Sequence, residues 1–244
     1  MIHLTFTRFE LLRTVRSRRF IVLSLAFPLG LYFLIAAPSR GVTDLAGTGL
    51  PAPLYFMTGM AAFGAIAASL SSGVRIAGDR AAGWTRQLRL TPLPPRAYLC
   101  SKIITSYAMA LLTIALLFAA GVALGVQLPA SAWLRMTLLM IVGLVPFAAL
   151  GIVLGHVLST DAIGPAMGGL TSLLAMLAGA WFPLGHGVLA AVAQWLPSYW
   201  LVQASRVALG GTGWPTQGWL VVALWSVALA VLARYAYRRD TRRG

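Results

Sequence analysis

At 244 residues, 59% of them hydrophobic and 10% charged, the chain carries more apolar surface than a water-soluble fold of its size can hide. Its formal charge of +14 argues for membrane topology and against nucleic-acid binding, because the basic residues fall between apolar runs instead of along one polar face. With Cys100 as its single cysteine the chain can form no internal disulfide and no cysteine metal cluster.

Residues 2–19 come first. Ile2, Phe6 and Phe9 share one side at helical spacing while Arg8, Arg16 and Arg19 share another, which predicts an amphipathic helix lying among lipid headgroups; Arg13 falls on the Phe6 side and blurs the pattern. A flexible basic leader that only fixes topology is the alternative. Ile35-Ala36-Ala37 resembles a signal-cleavage site, but the 18-residue apolar run before it exceeds a signal core of about 7–15 residues. The run therefore reads as a retained span.

A bilayer core of about 30 Å takes roughly 20 apolar residues as a helix. Six stretches meet or approach that length: 20–37, 54–74, 103–126, 136–155, 162–182 and 219–233. The last is short, and Arg234 with the interfacial Tyr235 and Tyr237 extends its reach. The expected fold is all-α: one membrane domain of six spans, an N-terminal amphipathic helix (1–19), a connection after the second span (75–102) and an external re-entrant hairpin (183–217).

The connection 75–102 is longer than a turn requires. Asp79 can cap a helix in which Ala81, Trp84 and Leu88 fall on one side, and Pro92, Pro94 and Pro95 stop it. An exposed Trp84 on a short, stopped helix suits a docking partner; a surface helix with Trp84 in the headgroups is the alternative. Farther on, His156, Ser159 and Asp161 lie within six residues of one another, too close along one loop to surround a cleft. Gly121/Gly125, Gly151/Gly155 and Gly164/Gly168 are small-x-x-x-small pairs whose usual role is packing within the chain, with a dimer contact as the alternative. Gly164, Pro165, Gly168 and Gly169 predict a bend at the start of the fifth span. The segment 183–217 is broken by Pro183, Pro197 and Pro215; residues 187–196 would reach only about 15 Å as a helix, too short to cross. Together with 199–209, which carries Gln203 and Arg206, it is expected to dip into the outer leaflet.

Orientation follows the basic residues, since inner loops hold the excess. Arg8, Arg13, Arg16, Arg18 and Arg19 precede the first span. Arg75, Arg80, Arg86, Arg89, Arg96 and Lys102 follow the second, and Arg234, Arg238, Arg239, Arg242 and Arg243 follow the sixth. Only Arg40, Arg135 and Arg206 remain for the outside. Both ends are therefore expected in the cytoplasm, which requires an even number of spans. Trp133, Trp181, Trp195, Trp200, Trp214 and Trp219 fall near the expected outer interface, where indole rings are favoured.

Asp79-Arg80-x-x-Gly83-Trp84-x-x-x-Leu88-Arg89-x-Thr91-Pro92-Leu93 resembles the cytoplasmic loop of ABC-2 type transporter permeases, and the order of elements is similar along nearly the whole chain. Asp79 stands where Glu is commoner, which keeps the charge; Trp84 stands where Thr is commoner, which changes the surface offered to an ATPase. The resemblance implies the membrane half of a bacterial exporter. Two permeases pair, and each docks a separate ATPase, holding ATP and magnesium, through Asp79, Arg80, Gly83, Trp84, Leu88, Arg89 and Pro92. It also places the substrate path between the second and fifth spans, where Phe56, Met60, Phe63, Thr171 and Met176 are the candidates. Adaptable Met and aromatic side chains suit a small amphipathic compound such as an antibiotic; lipid-linked glycan export is the alternative. The chain contains no G-x-x-x-x-G-K-[ST] phosphate loop, no H-E-x-x-H and no G-x-S-x-G, so no catalysis, metal or cofactor is expected on it. No span carries an ionisable group at its centre, which disfavours an ion-coupled carrier.

Overall fold

The computed structural model describes residues 2–16, 22–84, 87, 95–185, 187–209 and 213–243, and among them all regular structure is helical. Helix α1 is Ile2–Val15. A π-helical turn, Val22–Ala26, runs into α2, Phe27–Ala36. Then come α3, Ala52–Ala81, and α4, Pro95–Ala123. Helices α5, Ala130–Gly143, and α6, Val145–Val157, are followed by α7, Thr160–Leu177. The short α8, Val188–Ala193, and α9, Pro197–Gln203, lead through a 3-10 turn, Ala204–Leu209, to α10, Thr216–Arg243.

Among the described residues four helical stretches are long and apolar enough to cross a membrane: Ala52–Ala81, Ala97–Ala123, Ala130–Val157 and Thr216–Arg239. The third is α5 and α6 together. Leu144 between them keeps near-helical angles, and Pro146, lacking an N–H, interrupts the ladder of backbone bonds without separating the two pieces. The apolar helix Ser24–Ala36 is shorter; its 13 residues make only about 20 Å. Helix α7 has 18 residues and begins with Thr160 and Asp161.

Helix α3 is the hub. It packs against α2, α4, α6 and α7, and 89% of its most apolar window is buried, against 17% for α10. Met57, Met60, Ile66 and Leu70 of α3 fill the centre with Tyr32, Ile114, Met136 and Phe147. Helix α10 leans on α6 by one side and turns Leu220, Leu224, Val227 and Val231 outward, as a lipid-facing helix does. The contact of α3 with α6 depends on missing side chains. A Cβ on Gly73 would overlap the Gly151 carbonyl oxygen, and one on Gly155 would sit 2.7 Å from the Gly73 carbonyl. The Gly151/Gly155 pair thus packs within the chain, as does Gly121 against Met57, while a Cβ added at Gly164 or Gly168 would meet no neighbouring element within 4 Å.

The expectations for the end of the second span and for Asp79 change. Helix α3 does not end with its apolar run but continues through Gly78, Asp79 and Arg80, so Asp79 lies in the last turn of a long helix and caps no helix start. The segment 75–102 is accordingly helix at both ends, with only the stretch between Ala81 and Pro95 left to connect them. On α1 the side turned into the protein carries Glu10 and Thr14, both buried, whereas Phe9 is 66% exposed. The sixth expected span also extends well past Ala233, to Arg243.

Beyond Phe182 the two short helices fall close to the expected 187–196 and 199–209. They are held by indoles: Trp200 Nε1 donates to the Gln194 carbonyl at 2.9 Å, and Trp225 Nε1 of α10 donates to the Trp195 carbonyl at 2.8 Å.

Candidate functional site

At one end of the bundle α1, α3 and α4 converge, and the side chains that meet there are charged. Helical spacing assembles them: Arg75 and Asp79 are four apart on α3, Tyr98 and Lys102 four apart on α4, and Glu10 and Thr14 four apart on α1, so each pair shares a face. Lys102 is 0% exposed. Its Nζ lies 2.5 Å from Glu10 Oε1 and 2.7 Å from Asp79 Oδ2. The Tyr98 hydroxyl donates to the same Asp79 oxygen at 2.9 Å, and its ring centroid is 5.1 Å from the ammonium. Arg13 Nη1 reaches Asp79 Oδ1 at 3.3 Å, and Arg75 Nε lies 3.4 Å from Glu10 Oε1 while its Nη1 donates to Ser71 Oγ at 3.1 Å.

Moving a carboxylate from water to a protein interior costs several kcal/mol, and only good pairing offsets it. Here two carboxylates share one ammonium, Arg13 takes the other oxygen of Asp79, and Arg75 approaches the Glu10 oxygen that Lys102 already holds. Glu10 and Asp79 are two of only five acidic residues in the chain, and Lys102 is its one lysine beside 18 arginines. A compact ammonium with three rotatable donors can bridge two carboxylates on different helices where a flat guanidinium fork would need more room.

Arg80 points the other way. Its Nη1 donates to the Gly155 carbonyl at 3.0 Å and the Leu158 carbonyl at 3.5 Å, closing the C-terminal end of α6, where carbonyls lack helical partners and a positive charge is favoured. His156 on that last turn holds the Ile152 carbonyl through Nδ1 at 2.8 Å and meets Tyr237 of α10 edge-on at 5.5 Å. Adjacent residues of α3 therefore tie it to α1 and α4 on one side and to α6 on the other.

Helix α3 then stops. Ala82 N–H bonds back to the Gly78 carbonyl and Gly83 N–H to that of Arg80, and Gly83 takes φ +69°, a left-handed turn that glycine adopts without strain. Trp84 and Gln87 are again helical, Gln87 N–H reaching the Gly83 carbonyl at 3.4 Å, and Trp84 is 41% exposed. Of the seven residues singled out for ATPase coupling, Asp79 and Arg80 are thus built into the bundle, and Gly83 and Trp84 form the turn that leaves it. Leu88, Arg89 and Pro92 lie outside the described residues.

The residues singled out for a substrate path sit apart from this end. Phe56, Met60 and Phe63 are 6%, 0% and 6% exposed within the chain; Phe63 packs against Phe27 and Trp181, each at 5.8 Å. Thr171 of α7 is buried and donates to the Met167 carbonyl at 2.7 Å, while Met176 is 40% exposed. Helices α3 and α7 do pack together. Ser159 accepts a bond from the Ala162 N–H at the start of α7, and Asp161 stands in its first turn, ordinary roles for a helix N-terminus.

Glu10, Arg75, Tyr98 and Lys102 were not picked out by sequence motif. Charges at the ends of apolar runs read as topology signals, and Glu10 meets Lys102 across 92 positions. The one available signal was compositional: a single lysine, and an acid within an otherwise basic leader.

The chain was compared with known proteins. A family model described as "ABC-2 family transporter protein" matches residues 52–235, which covers α3 through most of α10. The protein named "Putative transport permease YvfS" of Bacillus subtilis (strain 168) is 26% identical over 240 residues, spanning 95% of both chains. With several long apolar helices and this match over most of its length, the chain belongs to the ABC-2 transporter family, as a permease membrane subunit that carries no ATPase domain.

Proposed function

We propose that this chain is the membrane subunit of an ATP-driven exporter of small hydrophobic or amphipathic compounds, working in a bacterial cytoplasmic membrane as one of a pair of permeases. In this reading all six apolar segments cross or enter the bilayer, both ends lie in the cytoplasm, and the hairpin 183–217 dips into the outer leaflet. A separate ATPase, holding ATP and magnesium, docks on the connection that begins at Gly83.

The observation that carries the reading is the anchoring of that connection. It leaves the bundle at an exposed Trp84, directly after a turn whose Asp79 and Arg80 bond to three other helices. A push delivered to the turn therefore has rigid elements to act on. The apolar side chains of α3 and α7 and the open, small-residue face of α7 around Gly164 and Gly168 suit a path for apolar cargo between two copies.

Co-purification in mild detergent with the ATPase encoded beside this chain tests the reading. A stable complex whose ATP turnover changes with lipophilic compounds supports it. A chain that purifies without any ATPase overturns it.

A further inference from the structure

We infer that Lys102 is a positioning residue that clamps helix α1 to α3 and α4, so that the N-terminal helix moves with the membrane bundle and not independently of it. This rests on the reading above, that the stroke enters beside Asp79, and adds the part that receives it.

The argument begins with what else could hold α1. Its neighbour in the fold is α4, and the outward Phe9, 66% exposed, and Leu12, 43% exposed, contribute little to that contact. Among the described side chains of α1 the buried ones are Glu10 and Thr14, and the Thr14 hydroxyl is spent on the Glu10 carbonyl of the same helix at 2.8 Å. The ion pairs that reach from these described residues to neighbouring helices are Glu10 to Lys102 and Arg75, and Arg13 to Asp79. Arg13 is 64% exposed in its side chain, so its pair is screened and weak. Arg75 is long in its contact, at 3.4 Å, and its Nε and Nη2 make no hydrogen bond. Only Lys102 touches both carboxylates at close range, and only it is fully buried. Lose its charge and Glu10 and Asp79 are left as neighbouring buried anions, whose mutual repulsion and desolvation drive α1 outward, where Glu10 can find water.

The consequence is a three-helix body at this end, keyed by one ammonium. A displacement of the Asp79 turn carries Lys102 with it and, through Lys102, carries Glu10.

Spin-label distance measurements in the complex with its ATPase test this. The chain carries Cys100→Ser, which removes its exposed free thiol, and labels at Phe9→Cys on α1 and Val74→Cys on α3, both exposed positions; it is diluted with unlabelled chain so that only distances within one chain are read. The expected result is one narrow distance, the same without nucleotide and with ATP plus vanadate. Lys102→Met should at least double its width, Lys102→Arg, which keeps the charge but needs more room, should restore only part of the narrowness, and Glu10→Gln with Lys102→Met should be no worse than Lys102→Met alone. Should Lys102→Met not fold, Glu10→Gln keeps the Lys102–Asp79 pair and is expected to show the same widening. A Lys102→Met distribution as narrow as the parent's, or a parent distance that shifts with ATP plus vanadate, overturns the clamp. If no ATPase joins the complex, the function proposed above fails separately, and the nucleotide-free arm still decides whether Lys102 holds α1.

Discussion

The two ends of the bundle are held together by different chemistry. At one end α1, α3 and α4 are joined by buried ions, with Lys102 between Glu10 and Asp79. At the other, the contacts are neutral. The Tyr32 hydroxyl donates to the Pro53 carbonyl at 3.2 Å, Tyr55 donates to the Gly179 carbonyl, and tilted rings meet as Phe118–Trp133 at 4.9 Å and Trp214–Trp219 at 5.2 Å. Neutral contacts fail one by one, each at modest cost. A buried ion cluster fails as a unit, because removing one partner strands the others. The difference teaches that a single substitution can disengage one end of the molecule while the other stays assembled, a useful asymmetry in a protein that must relay motion from one face to the other.

That contrast can be broken most severely at Lys102. Lys102→Met leaves two buried carboxylates under-compensated and is expected to cost about 3–5 kcal/mol, read as a lowered unfolding midpoint in detergent. Glu10→Gln should cost less. Next comes the shared middle, where α3 crosses α6: Gly73→Ala forces a methyl into the Gly151 carbonyl and should cost about 1–3 kcal/mol, while Gly164→Ala, with open space around it, should be neutral by the same measurement. At the neutral end Tyr55→Phe removes one hydrogen bond to the Gly179 carbonyl and should cost about 0.5–1.5 kcal/mol. Equal losses for Lys102→Met and Tyr55→Phe would erase the contrast. A small stability effect is also expected for Trp84→Ala, within about 0.5 kcal/mol, yet under the proposed function it should lower permease-dependent ATP turnover, because the exposed indole faces the docking partner.

Much of the architecture is legible from hydropathy alone, because backbone groups in lipid must be satisfied within a helix. Hence 54–74 and 136–155 fall inside helices that the structure contains, and 103–126 overruns its helix, which ends at Ala123, by three residues. What hydropathy misreads is where a helix stops. The apolar run ends near Val74, but Arg75, Asp79 and Arg80 find partners on neighbouring helices, and those partners repay the extra turns through Ala81. The same blindness hid the ion cluster: a charge beside an apolar run looks like a marker of sidedness until the fold shows what it touches. Asp79 and Arg80 were visible as a motif, but their burial was not, since it depends on residues 66 and 75 positions away. The aromatic path candidates show the converse. Phe56, Met60 and Phe63 carry the composition of a ligand surface, yet within one chain they serve the core.

The chain's one lysine is also its most thoroughly enclosed cation. An acylating reagent that seeks side-chain amines therefore has no accessible lysine while the three helices stay joined, and gains one only when they part. The protein carries, without any added label, a chemical tell-tale for the opening of that single junction.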